Sequence, residues 1–332
     1  MTGKRIVDMA MPLCFCLIAY SAVAEAGDMT APLPVLQMNP LMLRYMGPTA
    51  ADAFEVAGQG HHISIQEHYA NIYLADRWPV PDRYLVDMEL SVTDVALHAS
   101  IGKLALRLDM PLQLSTGGWM DGLISGFHKI FHLPNENRRY RPNNSYAYTL
   151  TGAWNSHPGW ELGNVLAGLQ YPVLQGEHNA LALLAGAKLP TASRQRGWGS
   201  GTWDTGIGLV DSFRSHAWFA HVEGWYFRPF GNDYVAFLKN RPYARISLSI
   251  GWQGRFFRPV SDRPFSFIIQ SQGGMSPYRG NGMLIADQNP WLIAAGLRWQ
   301  DSHKRDWLFS ITENITQHSS QDISLDIGCA FG

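Results

Sequence analysis

The sequence predicts an all-β fold: a single antiparallel transmembrane β-barrel of ~12 strands, or ~14, with one short amphipathic helix. Three observations predict it. Apolar and polar residues alternate with a period of two along many segments of about ten residues, the pattern of strands with one oily and one wet face. The aromatic residues, 12 Trp, 13 Tyr and 15 Phe, are frequent at the ends of those segments, where a bilayer interface would hold them. Beyond the N-terminus no apolar run reaches the length of a spanning helix, so a membrane location requires a closed barrel, which alone satisfies every strand's backbone in lipid.

Residues 1–24 read as a signal peptide. Lys4 and Arg5 precede a mostly apolar run over 9–23, and Ala22-Val23-Ala24 has the small-x-small form of a cleavage site, with a cut near Ala24. Cys14 and Cys16 leave with that segment. Cys329 then remains as the mature chain's single cysteine, which excludes an intramolecular disulfide framework. Residues 25–60, rich in Pro, Ala and Gly, read as an N-terminal lead-in, in which only 41–46 could pair as a short strand.

The barrel occupies residues 61–332. Its clearest alternation is Tyr84, Val86, Met88, Leu90 and Val92 against Leu85, Asp87, Glu89, Ser91 and Thr93. Similar segments fall at 63–73, 97–114, 146–154, 160–171, 179–189, 203–213, 216–227, 244–252, 265–271, 291–299, 307–315 and 323–331. In 291–299, Trp291, Ile293, Ala295, Leu297 and Trp299 form an outer face, with Gly296 and Arg298 toward the lumen. The last segment, Ile323, Leu325, Ile327, Cys329 and Phe331, resembles the C-terminal assembly signal of outer-membrane barrels, apart from the trailing Gly332. The count is odd where bacterial barrels have an even one, so either 41–46 is a strand or one of these segments is not. With the C-terminus in the periplasm, the long connections 190–202, 228–243 and 275–290 fall outside, the turn near Ser215 falls inside, and this count puts the helix on the periplasmic side.

The net charge is −1, from 26 basic and 27 acidic residues, and no basic stripe stands out, which excludes nucleic acid as a partner. No cofactor or metal is expected. His62 and His68 share a strand face about 20 Å apart, too far for one ion.

Residues 119–133 break the period of two. At about 100° per residue, Leu123, Ile124, Phe127, Ile130 and Phe131 share one face and Asp121, Ser125, His128, Lys129 and His132 the other. Thr116 is the candidate cap, Gly117 and Gly118 lead in, and Pro134 ends the helix. Asp121, Ser125 and His128 are the candidate catalytic residues, since an imidazole can take a serine proton while a carboxylate orients the ring. Neighbours on one helix project side by side, however, and the alternative is a solvated face on an interfacial helix. Arg138, Arg139 and Arg141 form a basic loop able to meet phosphate groups. The glycines 197, 199 and 201 lack a P-loop lysine and read as a flexible loop.

Trp160-Glu161-Leu162-Gly163-Asn164-Val165, Gly168-Leu169-Gln170-Tyr171, Ala185-Gly186-Ala187-Lys188-Leu189-Pro190-Thr191 and Gly199-Ser200-Gly201-Thr202-Trp203-Asp204 together resemble an uncharacterised proteobacterial outer-membrane barrel family, a domain of unknown function. The resemblance extends distantly to the outer-membrane barrels of aromatic-degradation pathways. Ala192 stands where that pattern has Gly, and Asn164 where it has Asp. The resemblance implies a barrel at the outer membrane of a Gram-negative bacterium and no catalytic residue. The leading functional expectation is a small channel or envelope-maintenance protein, porin-like, with the helix as plug or anchor and the question of an enzymatic activity left open. The alternatives are an outer-membrane lipid hydrolase and a soluble periplasmic ligand-binding barrel. The expected partners are outer-membrane lipid, the barrel-assembly machinery and an unidentified small-molecule solute.

Overall fold

The structure is a computed structural model, and it describes residues 29–55, 61–76, 83–130, 141–255, 264–301, 303, 305–316, 321 and 323–331. The signal-peptide reading, Pro134, Arg138 and Arg139 lie outside the described residues.

Twelve antiparallel strands close on themselves. They are β1 (His62–Ala75), β2 (Tyr84–Ile101), β3 (Leu104–Thr116), β7 (Val165–Gln175), β8 (Asn179–Leu189), β9 (Trp203–Ser215), β10 (Trp218–Phe230), β11 (Tyr243–Arg255), β12 (Pro264–Gly274), β13 (Trp291–Gln300), β14 (Asp306–Asn314) and β15 (Ile323–Phe331). The closing seam joins β1 to β15, from Ile63 opposite Phe331 to Asn71 opposite Ile323. Helix α1 (Asp121–Ile130) and the short strands β4 (Ala147–Leu150), β5 (Trp154–Ser156) and β6 (Gly159–Leu162) lie between β3 and β7. A single turn of helix, α2 (Leu284–Asp287), lies between β12 and β13.

Two sequence expectations change. The segment 97–114 is not one strand, because the chain turns back between Ile101 and Leu104 and divides it between β2 and β3. The segment 146–154 does not cross the barrel: its two short strands pair as a hairpin and extend the rim of β2, with Tyr84–Asp87 opposite Leu150–Ala147. That false crossing made the count odd, since 41–46 forms turns and not a strand. It also reversed the parity of everything before it. Helix α1 therefore sits at the same end as the connections 190–202, 228–243 and 275–290, opposite Phe331. We call these the loop end and the turn end.

Most of the outer wall is apolar: Ile207, Leu209, Val222, Leu248, Ile250, Phe267, Ile269, Ile293, Leu297 and Ile311 are exposed on it, with Trp203, Trp218, Tyr226 and Phe230 toward its margins. The β13 faces match the sequence pattern, Leu292, Ala294 and Gly296 turning inward. Strand β2 is reversed. Its oily row, Tyr84, Val86, Met88, Leu90 and Val92, is fully buried in the lumen, and its wet row, Asp87, Glu89, Ser91 and Thr93, faces away from the lumen and is buried as well. The reason is what fills the lumen.

Candidate functional site: the filled lumen

Residues 29–55 run inside the barrel. A segment with Pro at 32, 34, 40 and 48 cannot pair as a regular strand, yet buried amides and carbonyls need partners. The inward side chains of the barrel supply them. Gln270 both accepts from the Leu33 amide and donates to its carbonyl, each at 2.9 Å, and so imitates a strand neighbour. Arg298 donates to the carbonyls of Ala31 and Pro32, and Gln272 to that of Val35. The chain turns at the loop end around residues 39–44 and descends along the adjoining stretch of wall. There Tyr243 donates to Met46, Glu223 accepts from the amides of Thr49 and Ala51, and Ser212 accepts from that of Ala53. His221 bonds the carbonyl of Thr30 at 2.8 Å, beside the point where the ascending arm begins.

Between these contacts the segment offers Met38, Leu41, Met42, Tyr45 and Met46, all nearly inaccessible, to the inward row of β2 and to Ile72 and Leu74 of β1. Each such aliphatic side chain contributes roughly 1.5–3 kcal/mol when withdrawn from water. A plug of this kind makes an oily inward face favourable on β2, where an open channel would want a polar one.

The loop end holds the plug through charge. Arg44 donates to Asp233 at 2.7 Å and to the Gly199 carbonyl at 3.0 Å, with Tyr45 and Tyr278 bonded into the same cluster. Lys188 meets Asp204 at 2.9 Å and donates to the Arg44 carbonyl at 2.6 Å and to Ser200 at 2.9 Å. All four charged side chains are fully buried. The motifs carrying the family resemblance thus converge here: the lysine of 185–191 and the Ser, Thr and Asp of 199–204 grip the plug's turn. The loop read as flexible is packed, with Trp198 and Ser200 buried and Gly197, at φ +85°, backed against Trp154 where no Cβ would fit.

The sequence-selected residues are placed differently. Asp121 begins α1, but its oxygens accept from the Asn71 amide side chain at 2.9 Å and the Asn144 backbone amide at 2.7 Å, toward the outer face of β1. Ser125 is half-buried on the same helix, and the side chain of His128 lies outside the description. The approach to α1 is held by Glu89 of the wet row, which accepts from the amides of Trp119 and Met120 and from Tyr69. Thr116 has no capping bond among the described contacts. Arg141 pairs with Asp87 at 2.6 Å. His68 pairs with Asp326 at 2.8 Å, and His62 stacks on His98.

Sequence reasoning missed the plug and its clamps. The available signal was the set of long polar side chains on the inward faces of β10, β12 and β13: Glu223, Gln270, Gln272 and Arg298.

In comparisons with solved structures, the chain is similar to the COG4313 outer membrane channel from Pseudomonas putida F1, at 10% identity and TM-score 0.47, covering 85% of this chain and 99% of that one. It is similar to the beta domain of the Bordetella autotransporter Brka at 11% identity and TM-score 0.43, over 82% and 98% of the two chains. A BenF-like porin from Pseudomonas fluorescens Pf-5 matches at 8% identity and TM-score 0.32, over 84% and 98%. No curated protein matches by sequence. The family model described as a protein of unknown function, DUF3187, matches residues 7–240, and the chain accordingly belongs to that family.

Proposed function

We propose that this protein is an outer-membrane channel for small solutes whose conduit is closed, in the conformation described, by its own N-terminal segment. The observation that carries the reading is the bonding of residues 29–55: most of their backbone partners are side chains of the barrel wall, so the segment can leave the lumen without breaking a strand of the sheet. The apolar outer wall and its aromatic margins fit a bilayer, and the end bearing Phe331 fits the periplasm, with the assembly machinery reading β15. Helix α1 then lies at the outer leaflet as an anchor, because Asp121 is turned onto the barrel wall.

The test is conductance in planar bilayers of the mature chain and of a variant lacking residues 29–50. We expect small or rare openings from the former and large, steady ones from the latter. Equal conductance from the two would refute the gating segment, and no conductance from either would refute the channel.

A further inference from the structure

A cavity of about 120 Å³ lies inside the lumen, between the plug and the wall. It reaches from β2, β3 and the residues before β7 to β11. Those elements stand half the circumference apart in the twelve-strand order, so the cavity crosses the barrel. Its middle is apolar, passing Leu36, Met42 and Met46 of the plug. Its ends are not.

At one end Arg245, 5% exposed, has a guanidinium Nε with no hydrogen-bond partner, and among the described residues no carboxylate pairs with it. Its contacts are the Met42 sulfur at 3.8 Å and the face of the Tyr243 ring, whose centre is 5.6 Å from the guanidinium carbon. At the other end Asp94 and Asp109 flank the guanidinium of Arg107, at 3.8 and 2.7 Å, near His68. There the Asp94 Oδ1 and the Gln113 Oε1 are buried acceptors without donors. An unneutralised buried cation and orphaned acceptors are each strongly unfavourable unless a partner completes them. Several such atoms lining one cavity point to a ligand and not to a packing defect.

We propose that this cavity binds a small ω-amino carboxylate: a zwitterion whose carboxylate meets Arg245, whose ammonium meets Asp94 and Gln113, and whose methylenes lie along the methionines. A neutral zwitterion balances both ends without adding net charge to the lumen. Thioether side chains adapt readily to a flexible aliphatic chain. The volume, somewhat below that of a cavity that admits benzene, suits a short molecule of about six or seven non-hydrogen atoms. The proposal deepens the channel reading and rests on it for the solute's route, while the binding itself requires no conduction.

The experiment is calorimetric titration of the purified full chain in detergent with 4-aminobutyrate, butyrate, butylamine and glycine. We expect 4-aminobutyrate to bind with a Kd at or below about 1 mM, and the other three at least tenfold more weakly. Arg245→Gln should weaken 4-aminobutyrate at least tenfold and leave butylamine unchanged, and Asp94→Asn should do the same with butyrate unchanged. Unheated gel mobility verifies that each variant is a closed barrel; should either fail to fold, the ranking of the four probes on the wild type decides alone. No binding, glycine binding equally well, or a folded variant with unaltered affinity would overturn the proposal. Binding without conductance from either the mature or the shortened chain would retain the site and refute the channel. Conductance that responds to plug removal without any binding would do the reverse.

Discussion

The Arg44 guanidinium and the Asp233 carboxylate are both fully buried 2.7 Å apart, so each depends on the other for its charge to be tolerated. Arg44→Met should destabilise docking of residues 29–55 by about 3–5 kcal/mol, the range for breaking a buried pair on one side. Limited proteolysis before His61 should accelerate while the barrel keeps its folded gel mobility. A second residue-scale prediction concerns Asp301, in the turn between β13 and β14. Burial pushes its carboxyl up, but hydrogen bonds from Trp307, from the Arg305 side chain and amide and from the His303 amide outweigh this and hold it well below the usual carboxylate range. A depressed folded-state value adds stability above the unfolded value, near 4, and that increment is lost as the pH falls below it. Asp301→Asn should therefore unfold more readily than wild type at pH 7, and the difference in unfolding midpoint should shrink progressively below about pH 4. The Arg44–Asp233 pair was not visible in sequence: the two are separated by 189 positions, and nothing in their spacing announces contact.

At the scale of elements, α1 is held from below by a strand. Gly118 adopts φ +69°, and a Cβ there would stand 1.8 Å from the Glu89 carboxyl carbon. Gly118→Ala combines left-handed strain with that clash and should loosen the 117–146 connection by roughly 1–3 kcal/mol. Cleavage within this connection should rise, with no change in the mobility of the closed barrel. Deacylation assays with wild type and His128→Ala should give equal products if α1 is the anchor we infer, and a loss confined to the variant would restore the hydrolase reading. The helix itself was legible because its period departs so plainly from the strands around it. Its side of the barrel was not, because one rim hairpin at 146–154 alternates as a spanning strand does. Alternation reports a half-buried strand, and a strand of three or four residues packed on a rim is half-buried too.

For the whole molecule, closure leaves none of the twelve long strands with a free edge, so the barrel's integrity resides in the continuous ladder from β1 to β15 and not in its contents. The shortened chain lacking residues 29–50 should accordingly still migrate as a compact species in unheated gels and shift on boiling; loss of that shift would make the segment a folding core and not a gate. By itself the sequence determined the architecture, because period-two alternation, aromatic margins and the absence of a spanning helix are local properties that each segment carries alone. It also determined the outward and inward faces of β13. What only the tertiary structure decided was the content of the lumen and, with it, the facing of β2. A strand's pattern says that one face is oily, but whether that face meets lipid or a folded-in segment depends on where residues 29–55 go. That choice is made by contacts between residues hundreds of positions apart, such as Leu33 with Gln270 and Arg44 with Asp233, which no local pattern encodes.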